Sequence, residues 1–123
     1  MTILLGHNYI GSLRSAEGTV LLQSFDATTG EPLPVKFSQA VESEVDAAAK
    51  SAAAAFPIFR NLSAEKRAQF LDSIADEIDA LGEDFINTVC RETALPPGRI
   101  QGERGRTSGQ MRLFAKVVRR GDF

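Results

Sequence analysis

Cys90 and His7 are the single thiol and the single imidazole of this 123-residue chain. A cysteine beside a histidine that can take its proton is the minimum pair for thiol-based nucleophilic catalysis. Cys90, however, falls in an apolar helical pattern with Ile86 and Val89, where a free cysteine behaves as a small buried hydrophobe. His7 sits in an extended amino-terminal stretch, so the sequence gives no reason to pair the two. A denser group lies further along. Arg104, Arg106 and Gln110 put many hydrogen-bond donors within two helical turns, and the guanidinium fork matches a carboxylate two bonds at a time. Such a group suits recognition of an acidic ligand, and it equally suits pairing with acids elsewhere in a larger protein. Gly98, Gly102 and Gly105 do not have the spacing of a dinucleotide fingerprint, follow no strand and lead to no P-loop lysine, so no phosphate cradle is expected. Asp72 and Asp76 stand one helical turn apart without a third ligand, which does not make a metal site. The sequence therefore predicts no catalytic, cofactor-binding or metal-binding residue in this chain.

The elements that must position these residues fall into two stretches. Residues 1–40 read as β. Asn8–Gly11 and Thr19–Phe25 are rich in strand-forming side chains, Ser15–Gly18 and Asp26–Glu31 carry turn chemistry, and Pro32 and Pro34 bracket the start of a strand over Val35–Phe37. Two or three antiparallel strands are expected. Residues 41–123 read as about four helices. Val45, Ala49, Ala52, Phe56 and Phe59 share one helical face, with a capping pair of Ser43 and Asp46 before it and Pro57 ending or kinking it. Ser63 is a helix N-cap, with Leu71, Ile74, Ile78 and Leu81 as the buried stripe and Asp72, Asp76, Glu77 and Asp79 on a solvated face. Gly82 breaks that run. A shorter helix over Glu83–Glu92 turns Phe85, Ile86 and Val89 inward and ends at Leu95-Pro96-Pro97. The last helix begins near Pro97 and carries Ile100, Thr107, Met111, Phe114 and Val118 along one side. Its four glycines (98, 102, 105 and 109) each cost about 1 kcal/mol against alanine, so close approach by a neighbouring backbone is the expected return.

Composition limits the class. Apolar residues make up 43% and charged residues 24% of the chain, the balance of a globular domain. No apolar run approaches the ~20 residues of a membrane span, the first residues lack a signal-peptide pattern, and one cysteine excludes an internal disulfide framework. A cytoplasmic protein is the default. The net charge of −2 hides an asymmetry, because residues 1–98 carry −7 and residues 99–123 carry +5. A basic end of this kind fits a helix face that meets acids of the same protein or a partner; it also fits nucleic-acid binding.

Several stretches are recognisable together. Ala55-Phe56-Pro57-x-Phe59-Arg60 followed by Leu62-Ser63-Ala64-Glu65-Lys66-Arg67 resembles the amino-terminal end of the aldehyde dehydrogenase superfamily. His7–Gly11, Asp26–Glu31, Arg91–Pro96, the Gly102–Gln110 segment and Arg119–Phe123 are similar to one branch of it, the 2,5-dioxopentanoate (α-ketoglutarate semialdehyde) dehydrogenases. The likeness runs over essentially the whole sequence. It implies an α+β fold class for these residues, the first part of an α/β, Rossmann-like cofactor domain, with 1–123 a single incomplete domain made of a β-rich arm (1–40) and a helical part (41–123).

In that family a cysteine thiolate attacks the aldehyde, hydride passes to NAD or NADP, and a glutamate activates the water that releases the acid. The resemblance places all of these groups beyond residue 123, so Cys90 does not take the nucleophile's role and the chain alone is expected to be inactive and to bind no cofactor. Val41 stands where relatives often have a Thr or Ser cap, and Cys90 where an apolar residue is usual. The last helix resembles one that runs near the mouth of the family's aldehyde tunnel, which makes Arg104 and Arg106 candidates for holding the carboxylate of an acidic semialdehyde. The implied partners are a small aldehyde substrate and the rest of the dehydrogenase or other subunits in a homo-oligomer, with no nucleic acid and no membrane. Two other readings stand beside this one: a basic helical module on nucleic acid, and a short copy that associates with full-length subunits. Ala-rich and Gly-rich helices of this kind are expected to leave apolar patches exposed.

Overall fold

The structure, a computed structural model, describes residues 4–123. It divides into two compact units, one ending at Arg60 and the other spanning Asn61–Phe123.

Two hairpins open the first unit. β1 (Asn8–Ile10) pairs antiparallel with β2 (Leu13–Ser15), and β3 (Leu21–Phe25) pairs antiparallel with β4 (Pro32–Ser38) in a second two-stranded sheet. Gly11 supplies the positive φ of +59° that a two-residue connection needs. At the other turn the Asp26 carboxylate accepts from the Thr28 and Thr29 amides at 3.0 and 3.2 Å. Among the described residues there are thus four strands where two or three were expected. Leu13–Ser15 is too short to show a period-2 pattern, and Ser15 is strand rather than turn. β4 also starts earlier than Val35, since Pro32 pairs with Phe25 at the strand end, where no ladder donor is required. Gly6 lies so close to Lys36 that a Cβ there would fall 1.9 Å from the Lys36 carbonyl oxygen.

α1 (Glu42–Arg60) completes this unit and packs on β1. The expected Ser43–Asp46 capping pair does not form. The helix starts earlier, and the Glu44 carboxylate reaches back to the Val41 amide at 3.0 Å. This is the acidic half of a capping box; Val41 has no side-chain oxygen to supply the other half. Ser43 instead donates to the Glu17 carboxylate at 3.0 Å. Pro57 does not end α1, which continues to Arg60. The apolar face read from Val45 to Phe59 is largely exposed, with Val45 at 59% and Phe56 at 60%.

Glu44 itself is 3% exposed. The Ser15 hydroxyl, then the Val41 and Glu17 amides, hold its carboxyl from an ordinary 4.5 down to about 2. A depressed carboxylate contributes stability that is present above the unfolded value and is lost as pH falls through the folded one. Unfolding of the first unit should therefore steepen between pH 4.5 and about 2. Glu44→Gln should flatten that limb while lowering stability at neutral pH, read by circular dichroism during acid titration.

The second unit is helical: α2 (Ala64–Asp79), α3 (Gly82–Thr93) and α4 (Pro97–Arg120). Ser63 caps α2 as expected, accepting from the Lys66 amide at 3.3 Å. Gly82 takes φ +68° at the turn into α3, and Ala94 closes α3 in the left-handed region at φ 58°, donating its amide to the Cys90 carbonyl. α4 lies chiefly against α2 and more briefly against α3. The contact is built on small side chains: Ala68, Ala75 and Ala115 are all at 0% exposure, with Ser108 at 3%. Of the expected stripes, Leu71, Ile74 and Ile78 on α2 and Met111 and Val118 on α4 are half-buried, whereas Thr107 is exposed. Phe114 is 52% and Leu81 50% exposed, while Ile86 is at 0% and Ile100 at 4%.

The four glycines of α4 also depart from expectation. Among the described residues nothing lies within 4 Å of a Cβ built at Gly98, Gly102, Gly105 or Gly109. No close backbone approach offsets their cost here. Gly105→Ala should raise the stability of this chain by about 0.5–1 kcal/mol, measured by urea unfolding, because it removes unfolded-state entropy without meeting anything in the fold.

Candidate functional site

α4 turns 100° per residue, so its side chains separate into distinct rows. Positions two apart do not share a face, and this divides the arginine cluster. Arg104 turns towards its own unit, where its guanidinium donates to the Gly82 carbonyl at 3.4 Å and its charge helps lower the Asp79 carboxyl. Arg106 points outward, with its side chain 76% exposed. Gln110, one turn on, is exposed as well. The structure therefore keeps Arg106 with Gln110 and sets Arg104 apart from both.

Two residues that the sequence reading passed over join Arg106. Arg99, Glu103, Arg106 and Gln110 follow one another at spacings of 4, 3 and 4, which is one helical row. Arg99 Nη2 lies 2.8 Å from one Glu103 carboxylate oxygen, and Arg106 Nε lies 3.3 Å from the other. The hydrogen bond from Arg106, then the charges of Arg99 and Arg106, hold the Glu103 carboxyl below its usual range. That 4-3-4 period was the signal available; it was hidden because Glu103 interrupts a run noticed for its basic residues. The glycine row (98, 102, 105 and 109) runs immediately beside this one with the same period.

The opposite side of α4 holds a different kind of arginine. Arg112 donates to Asp76 at 2.7 Å and to Asp79 at 2.8 Å. Arg119 donates to Glu65 at 2.9 and 3.1 Å and lies 2.8 Å from Asp72. Asp76, Glu77 and Asp79 are exposed, as a solvated face requires, and Asp72 is half-buried, but the three aspartates are not merely solvated. They are the acceptors of an α2–α4 ladder, which also raises the Arg112 and Arg119 pKa values and lowers those of Glu65 and Asp79. For Asp79 the Ser108 hydroxyl is the larger cause and Arg112 the second.

Cys90 is half-buried on α3 of the second unit, and His7 belongs to the first. A shallow hollow of about 200 Å³ in the first unit is lined by His7, Lys36, Leu5 and Leu21 among others, smaller than ordinary ligand pockets of roughly 300–1,000 Å³. Among the described residues no group of three or more His, Cys, Asp or Glu side chains could hold a metal ion, and no helix is long and apolar enough to cross a membrane. The glycine row lies inside α4 rather than at a strand-to-helix turn, and the strand pairs described are antiparallel hairpins. These residues do not fit a dinucleotide by themselves.

Comparison with known proteins bears on the whole chain. It is 43% identical over 118 residues to an alpha-ketoglutaric semialdehyde dehydrogenase of Acinetobacter baylyi, covering 96% of this chain and 22% of that protein. It is 47% identical over 122 residues to alpha-ketoglutaric semialdehyde dehydrogenase 2 of Azospirillum brasilense, covering 98% of this chain and 23% of that one. A 2-aminomuconic semialdehyde dehydrogenase of Danio rerio is 34% identical over 92 residues, 75% of this chain and 18% of its own length. The chain thus spans less than a quarter of the length of these relatives. The sequence model of the aldehyde dehydrogenase family matches residues 14–122, and with hairpins, helices and relatives in agreement the chain belongs to the aldehyde dehydrogenase family.

Proposed function

We propose that these residues are the amino-terminal portion of an NAD(P)-dependent dehydrogenase that oxidises a semialdehyde, α-ketoglutarate semialdehyde, to the corresponding acid. The observation that carries this reading is the pair of relatives at 43 and 47% identity over 96 and 98% of the chain. In the complete enzyme this region starts the Rossmann-like cofactor domain; NAD or NADP, when bound to the remainder, supplies the hydride acceptor. The complete enzyme is a cytoplasmic homo-oligomer. Of the two candidates for holding the substrate's distal carboxylate, Arg104 is engaged with the Gly82 carbonyl and Arg106 is the one left exposed. The role is supported by the suitability of guanidinium for carboxylates and by the acidic substrate class of the relatives.

The test is a fusion of this chain to the rest of the Azospirillum brasilense relative, in place of that protein's own matching segment. Aldehyde-dependent reduction of the nicotinamide should appear with α-ketoglutarate semialdehyde in the fusion and be absent from the 123-residue chain alone. A soluble fusion that oxidises neutral aldehydes but not the acidic semialdehyde would overturn the substrate assignment.

A further inference from the structure

The arginines of α4 differ in what they are paired with. Arg112 and Arg119 reach acids on another helix, 33 to 54 residues away in sequence, and Arg104 reaches the Gly82 carbonyl. Releasing any of these would loosen contacts between elements. Among the described residues, Arg99 and Arg106 are tied only to Glu103, one turn away on their own helix. Exposed pairs of this spacing are weak, so they exchange readily for a better acceptor. Their geometry is informative because the two guanidinia converge on the two oxygens of a single carboxylate. The approach is open: the Arg99 and Arg106 side chains are 64% and 76% exposed. On the adjoining row, nothing stands within 4 Å of where a Cβ would be at Gly98, Gly102, Gly105 or Gly109.

We propose that Arg99 and Arg106 form a carboxylate-binding pair that Glu103 occupies in the absence of ligand, and that the terminal carboxylate of a small dicarboxylic semialdehyde displaces it. The naming of this ligand class rests on the dehydrogenase reading above. Arg106 then supplies the recognition and Arg104 does not, while Gln110, one turn beyond Arg106, adds a neutral donor. Glu103 sets selectivity from the opposite direction, as an internal competitor that weak or monodentate anions fail to displace. Each guanidinium retains further N–H donors when one is engaged, so a ligand carboxylate can be received before Glu103 is fully released.

The chain itself tests this. Glutarate is titrated at constant ionic strength against protein labelled at the arginine side chains, followed by nuclear magnetic resonance, with glutaramide as the neutral control. The Arg99 and Arg106 Nε–H signals should shift saturably with glutarate and stay still with glutaramide, while those of Arg112 and Arg119 do not move. Glu103→Gln should tighten the apparent Kd about two- to fivefold by removing the competitor. Arg106→Lys should weaken it, and Arg104→Lys should leave it unchanged. No saturable shift, or a Glu103→Gln variant with unaltered affinity, overturns the proposal. In the active fusion, Glu103→Gln should lower KM for the acidic semialdehyde and spare a neutral aldehyde. If the chain binds glutarate but that KM does not change, an acidic side chain of the remaining enzyme occupies the pair and the substrate role falls. A fusion inactive on the semialdehyde with intact glutarate binding counts against the dehydrogenase reading alone.

Discussion

Ile86→Ala is expected to unfold the second unit at ordinary temperatures. Ile86 is the largest side chain at 0% exposure among the described residues, in a helical unit whose other fully buried positions, Ala68, Ala75 and Ala115, are alanines. Cutting an isoleucine back to alanine in a packed core costs about 2–5 kcal/mol, the transfer of the lost carbons plus the cavity they leave. A unit of roughly 60 residues has little to spare, since total stabilities are about 5–15 kcal/mol and fall with size. At about 4–8 °C of Tm per kcal/mol for a domain of this size, the midpoint should drop by more than about 10 °C. Thermal unfolding followed by helical circular dichroism measures it. A drop of only a degree or two would mean that α3 is not part of the cooperative unit, and that α2 and α4 melt without it.

Ala75→Leu should be comparably damaging by the opposite route. Ala75 is fully buried on α2, whose main packing partner is α4. A leucine there adds three carbons where the helices meet on small side chains. Overpacking of this kind costs about 1–3 kcal/mol when the neighbours can shift. Here a shift would also lengthen the reach that Arg112 and Arg119 must span to Asp76, Asp79, Glu65 and Asp72. The variant should therefore lose stability and, in addition, lose sensitivity of that stability to salt, since the ladder is what salt screens. Urea midpoints at low and high ionic strength separate the two effects. An unchanged salt dependence with a lowered midpoint would show that the ladder survives the displacement.

Local rules were legible in the sequence and interhelical contacts were not. Ser63 as a cap, the break at Gly82, the stop at Leu95-Pro96-Pro97 and the start at Pro97 each follow from one residue's own conformational chemistry. Pro57 shows the limit of such rules: it sits in the last turn of α1, where the helix carries on for one more turn. Leu13–Ser15 escaped notice because three residues cannot display an alternation. The expected stripes of α2 and α4 held for Leu71, Ile74, Ile78, Ile100, Met111 and Val118, which are buried or half-buried, and failed for Leu81, Thr107 and Phe114, which are exposed. Where the two helices meet, alanine and serine are the most deeply buried, and size alone misplaced Phe114, which is 52% exposed. The acidic face of α2 is largely exposed as expected, but its pairing was not legible, since the partners lie 33 to 54 positions away in α4. Of the candidate site, Arg106 was legible as a donor. Its separation from Arg104 and its convergence with Arg99 on Glu103 follow only once the helix is known to run unbroken from 97 to 120.

α1 shows Val45, Phe56 and Ile58 to solvent at 59, 60 and 71% exposure, on a polypeptide whose net charge is only −2. Molecules that carry oily surface and little charge meet one another without electrostatic repulsion. In dilute solution the free chain is thus governed by collision frequency as well as by folding free energy. Its working lifetime should shorten as concentration rises, so turbidity, rather than melting temperature, will set how much of it can be kept in a test tube.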